Sequence, residues 1–198
     1  MPEDQREIDA VMRAGTLWCN ENPYIVERYG SRGEAFTRSD GGYLALLAGF
    51  PESYIREQMS WLASVLSSRG MPCWLMELYL DSLVNELGTA IPERKAEFQK
   101  LKDVEQTFRS SRLAWISQAD FDALVAEFES TTGHALRNSG GLLVSAVCDE
   151  LSGLPQSVSS LTSWLADPDR FPPEWCTAVA ETVARARSLA SSRNEART

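Results

Sequence analysis

The stretch from Pro51 to Leu87 restricts the fold more than any other part of the chain. Two Trp-bearing amphipathic segments flank the hinge Arg69-Gly70-Met71-Pro72. In the first, Tyr54, Ile55, Met59, Trp61, Leu62, Val65 and Leu66 recur at helical spacing. In the second, Trp74, Leu75, Leu78, Tyr79, Leu83 and Leu87 do the same. Gly70 can take the left-handed conformation that closes one helix, and Pro72 suits the first turn of the next. A chain with this centre builds its interior from helices.

The flanking sequence continues in the same manner. Glu3 to Cys19 reads as a helix with acids in its first turn, where they complement the helix dipole. Asn22-Pro23 starts a short helix through Tyr29, and another runs from near Glu34 or Asp40 through Leu47, with Gly41-Gly42 as a candidate interruption. Gly88 is the expected stop of the second central helix. Pro92 then opens a long polar helix with one narrow stripe of Phe98, Leu101, Val104, Phe108 and Trp115. Ser117 with Asp120 resembles a capping box ahead of Phe121, Leu124, Val125 and Phe128.

Gly133 to Gly141 reads as a loop, Leu142 to Leu151 as an apolar helix, Ser157 to Ala166 as a short one, and Glu174 to about Leu189 as the last. The polar segment Ser191 to Thr198 is expected to fray. Period-two alternation of β-branched residues is missing. The expectation is an all-α bundle of about eight helices, with residues 1–133 as the core and 134–198 as C-terminal helices packed on it, one domain overall.

Charge narrows the partners. Asp+Glu number 28 against Lys+Arg 19, a formal net charge of −9 that repels phosphate backbones and argues against nucleic acid. Hydrophobic residues make up 43% of the chain, enough for a sizeable core, yet no run approaches a membrane span. The four cysteines, Cys19, Cys73, Cys148 and Cys176, are scattered without a CxxC pair, which reads as buried free thiols of a cytoplasmic protein.

Catalytic signatures are absent. His134 is the sole histidine, sits in a polar loop, and has no GxSxG companion. One histidine without paired cysteines argues against zinc, and neither glycine pair fits a phosphate-binding motif. Carboxylates such as Glu93, Glu97 and Asp103 alternate with Arg94, Lys95, Lys100 and Lys102 on a solvated face. One neighbourhood stands apart: Arg28, Arg32 and Arg38 fall within eleven residues of an otherwise acidic chain. They form either an anion site of guanidinium forks or a set of local pairs with Glu27, Glu34 and Asp40. Trp61 and Trp74 either line a pocket or belong to the core.

The segment Thr37-Arg38-Ser39-Asp40-Gly41-Gly42-Tyr43-Leu44, followed by a helix, Gly70-Met71-Pro72 and another helix, resembles the middle of phycobiliprotein-like members of the globin fold. In that family a bilin-bearing Cys is followed three residues on by Asp and six on by Tyr, which Asp40 and Tyr43 match. Thr37 stands where the Cys would be, and Ser39 where the motif's Arg would be. The resemblance spans Arg28 to Leu87 and extends to helical modules of bacterial signalling proteins. It implies a globin-like bundle that binds a tetrapyrrole non-covalently, or that has lost the ligand and kept a regulatory role.

The resulting expectation is a non-enzymatic, all-helical regulatory or protein-interaction domain that associates with itself or with a protein partner and carries no cofactor. The first alternative is a globin-like sensor of a small ligand such as a tetrapyrrole. Its pocket would lie between the helix of Asp40 to Leu47 and the pair of Pro51 to Leu87, with Arg38, Asp40 and Tyr43 as polar anchors and Trp61 as wall. The second is an enzyme without a recognisable motif.

Overall fold

The computed structural model describes residues 2–133 and 136–196, and all of its regular structure is helical, with no strand among the described residues. The order is α1 (Gln5–Glu21), α2 (Pro23–Tyr29), α3 (Ser31–Leu47), α4 (Glu52–Ser67), α5 (Cys73–Ala90), a 3-10 turn at Pro92–Arg94, α6 (Lys95–Trp115), α7 (Gln118–Thr132), α8 (Ser139–Leu151), α9 (Ser157–Leu165) and α10 (Pro173–Glu195). His134 lies outside the described residues. No described helix is long and apolar enough to cross a membrane.

The hinge forms as its sequence dictates. Gly70 sits at φ 83°, and the Met71 N–H returns 2.9 Å to the Leu66 carbonyl, closing α4. Other boundaries differ from expectation, among them the starts of α3 at Ser31 and of α8 at Ser139. The helix α3 runs unbroken through Gly41-Gly42. The helix α5 passes Gly88 and ends at Ala90, since an internal glycine costs only about 1 kcal/mol. Its real stop is Pro92, which holds Ile91 at φ −135°, ψ 70°, outside the helical region. The last helix reaches Glu195 because packing holds it there: Ala190 is buried, and the Arg193 guanidinium donates to the Leu113 carbonyl at 3.3 Å.

The chain divides into two compact units. The first comprises Met1–Leu62 and Met76–Thr107. Its core is built on α1 against α3, with Val11, Ala14, Leu44 and Ala45 buried, and includes Ile55, Met59, Leu80, Leu83, Phe98 and Leu101. Small residues allow the close approach. A Cβ on Gly41 would stand 2.1 Å from the Tyr79 hydroxyl and 2.8 Å from a Val11 methyl. Tyr79 uses that gap to donate 2.8 Å to the Thr37 carbonyl, and its ring lies 5.3 Å from Trp18.

Ion pairs tie the surface of this unit. Glu7, almost fully buried, meets Arg94 at 2.9 Å, and Lys102 reaches Asp81 at 2.5 Å and Glu105 at 2.9 Å. Burial first, then the neighbouring Asp40 and Cys19, holds the Tyr79 phenol well above its ordinary 10.0. A phenol whose pKa is raised by folding contributes stability that is complete below pH 10.0 and is lost as pH rises through the folded value. Tyr24, buried and also raised, acts in the same direction. The melting temperature is therefore expected to fall above that pH. Tyr79→Phe should fall less steeply, while losing about 1 kcal/mol near neutrality with its hydrogen bond. Parallel slopes for the two proteins would refute this origin.

The second unit comprises Ala63–Leu75 and Phe108–Thr198. Its centre is α8, buried from Ser139 through Asp149, with α7, α9 and α10 packed around it. The side chains of α8 also cap other helices. Asp149 accepts the Cys73 N–H at 2.9 Å and the Ser157 hydroxyl at 3.3 Å, while Ser145 accepts the Trp74 N–H at 3.2 Å. Glu150 accepts the Val158 N–H at 3.1 Å and pairs with Arg187 at 3.0 Å. The first turns of α5 and α9 thus find their acceptors at one end of α8.

Aromatic rings fill the rest of this interior. Phe171 stacks on Trp175 at 4.9 Å, Phe128 and Trp164 meet that pair edge-on, and the Trp175 indole N–H donates 2.8 Å to the Leu165 carbonyl. Trp74 packs edge-on to Phe121 at 5.2 Å. The expected start of α7 is confirmed, with the Ser117 hydroxyl accepting the Asp120 N–H at 3.1 Å. All four cysteines lie outside any disulfide, three of them buried.

Candidate functional site

The three arginines have different surroundings. Arg28, at the end of α2, donates to the Tyr24 hydroxyl and lies over the Tyr24 and Tyr29 rings at 5.7 and 5.2 Å. Arg32 is exposed in the first turn of α3. Arg38 lies two turns from the start of α3 and faces α1 across a shallow cleft of about 100 Å³ lined by Gly15, Thr16, Cys19, Asn20 and Glu34. The Cys19 thiol lining this cleft is raised by burial and donates to the Thr37 hydroxyl at 3.8 Å. Asp40 is half-buried on the Tyr79 side of α3.

Tyr43 and Trp61 do come onto one surface, but an open one. Trp61 is 60% exposed and Tyr43 39%, so Trp61 belongs neither to the inner face of α4 nor to a pocket wall. The geometry of α4 accounts for this exposure. On α4 the buried residues include Ile55, Met59 and Leu62, and the stripe Tyr54, Glu57, Gln58 and Trp61 lies next to them on the outside.

Around that stripe the end of α3 and the following turn add apolar surface. Leu46 and Phe50 are exposed, and the Phe50 ring sits 5.2 Å from Tyr54. The Tyr43 hydroxyl donates to the Gln58 side-chain carbonyl at 3.0 Å, fixing α3 to α4 at the surface. Partial burial and then the neighbouring Tyr54 raise the Tyr43 phenol above its ordinary value. Tyr43, Leu46, Phe50, Tyr54 and Trp61 are thus all exposed on α3, α4 and the turn between them, and form the candidate face. Sequence reasoning found Tyr43 and Trp61 and missed Leu46, Phe50 and Tyr54. Their signal was the surplus of apolar residues over what one helix stripe can bury.

The rim of the face is polar and pinned. Arg56 pairs with Glu52 at 2.5 Å and donates to Thr107 at 2.9 Å, while Lys100 donates to the Phe50 carbonyl at 2.8 Å. Among the described residues no three His, Cys, Asp or Glu side chains gather as metal ligands. No protein-family model matches this chain, and no curated protein or solved structure matches it either.

Proposed function

We propose that this chain is a non-enzymatic, all-helical interaction domain of regulatory type, which engages a protein partner through the aromatic face of α3 and α4. The observation that carries the reading is the 60% exposure of Trp61 on the same outer stripe of α4 as the exposed Tyr54. A large aromatic left open costs hydration free energy that a folded protein ordinarily removes, and clustered exposed aromatics ringed by polar residues are the make-up of interface anchors. The tetrapyrrole reading lacks comparable support, because its expected pocket residues Tyr43 and Trp61 face solvent.

The test places a photo-crosslinking residue at Leu46, on the edge of the face, in cells that produce the protein. Discrete adducts are expected, and Trp61→Ser should abolish them while leaving helical content unchanged and stability within about 0.5 kcal/mol. Absence of any adduct, or adducts indifferent to Trp61→Ser, would rule the interaction reading out.

A further inference from the structure

The occupant of this face can be read from the chemistry of α4, taking the interaction reading above as its premise. Glu57 is exposed between Tyr54 and Trp61 on the outer stripe, and its carboxylate makes no hydrogen bond or ion pair among the described residues. Its neighbour Gln58 is half-exposed and spends its carbonyl oxygen on the Tyr43 hydroxyl, while its NH₂ group makes no hydrogen bond among the described residues. One residue therefore offers an unused acceptor with charge, and the next offers unused donors.

These two positions are each other's complement under a two-fold rotation. Laying α4 antiparallel against a second α4, with the axis between Glu57 and Gln58, puts each Glu57 carboxylate against the other copy's Gln58 NH₂. The same rotation puts Tyr54 against Trp61 at both ends, so both aromatic anchors are covered at once. An isologous interface requires this self-complementarity, and a heterologous partner would not.

Charge permits the pairing. The chain as a whole is strongly acidic, but the rim of the face holds two acids, Glu52 and Glu57, against two bases, Arg56 and Lys100. Both signs of charge are therefore present beside the face, which softens the repulsion that the net charge of −9 would otherwise impose on two copies. We infer that the face binds a second copy of this chain in a two-fold antiparallel α4–α4 interface, registered by Glu57 against Gln58.

Sedimentation velocity of the purified full chain across nanomolar to high-micromolar concentrations tests this, with melting curves confirming that each variant is folded. The wild type should pass from monomer to dimer. Glu57→Lys sets a cation against amide donors, and Gln58→Glu sets two carboxylates together, so each alone should raise the dimer dissociation constant at least about tenfold. The double variant Glu57→Lys with Gln58→Glu restores opposite charges in the same register, and keeps an acceptor for Tyr43. It should return to within about threefold of the wild type.

A wild type that stays monomeric throughout overturns the inference. So does a dimer that the double exchange fails to rescue, since its register is then a different one. Crosslinks from Leu46 to a different protein, with no self-adduct, would overturn the second copy and leave the interaction reading standing. Absence of all adducts removes both.

Discussion

Gly141→Ala is expected to destabilise the second unit by about 3 kcal/mol, even though alanine gains about 1 kcal/mol over glycine in a helix. A methyl at this position would stand 2.2, 2.5 and 2.9 Å from three carbons of the Trp74 indole. These are distances at which the whole ring must shift, and Trp74 is seated edge-on to Phe121. Interiors packed like organic crystals have no slack for such a move. The cost should therefore be coupled to the indole. Trp74→Leu alone opens space and costs roughly 2 kcal/mol, but combined with Gly141→Ala it should cost less than the sum of the two. Urea unfolding of the four proteins of the cycle measures the coupling, and additive costs would show that the clash is relieved by another route.

Asp149→Ala should cost about as much by a different mechanism. The aspartate is buried and accepts from the Cys73 N–H and the Ser157 hydroxyl. Removing it leaves a buried backbone donor at the start of α5 without an acceptor, for about 3 kcal/mol. Asp149→Asn keeps one side-chain oxygen in place and should cost about 1 kcal/mol. Hydrogen exchange at the amides of Cys73, Trp74 and Leu75 gives the local readout. Protection there should collapse in the alanine variant and largely survive in the asparagine one. Equal protection in both would mean that the cap does not hold this helix start.

The two cases explain what the sequence could and could not reveal. Helices were legible because they are local: Ile55, Met59 and Leu62, or Phe121, Leu124 and Phe128, announce themselves by spacing alone. Caps made within a few residues, such as Ser117 on Asp120, were legible for the same reason. Asp149 on Cys73 spans 76 positions, and Tyr79 on Thr37 spans 42, so neither has a local trace. Gly41 reads as a helix breaker until its neighbour across the interface, Tyr79, is known.

The aromatic face was half legible for a related reason. In α4 the pairs Ile55 and Leu62, and Tyr54 and Trp61, are each seven apart, forming two adjoining apolar stripes about 100° from one another. Periodicity says that both stripes exist. Which one turns inward depends on the rest of the fold. Taking the two together as a single core face placed Trp61 inside, where the structure has Met59 and Leu62. Of the three arginines, Arg28 lies over the Tyr24 and Tyr29 rings, an aromatic contact that pairing with local acids does not include.

The capping of α5 by α8 also has a consequence for the order in which the molecule is made. A ribosome releases Cys73 and Trp74 long before Ser145 and Asp149, which lie 71 and 76 positions downstream. Throughout that interval the nascent start of α5 has only water to satisfy its amides. The second unit consequently matures late in translation, when α8 clears the exit tunnel and supplies those acceptors, while the earlier-made α1 and α3 can already find each other.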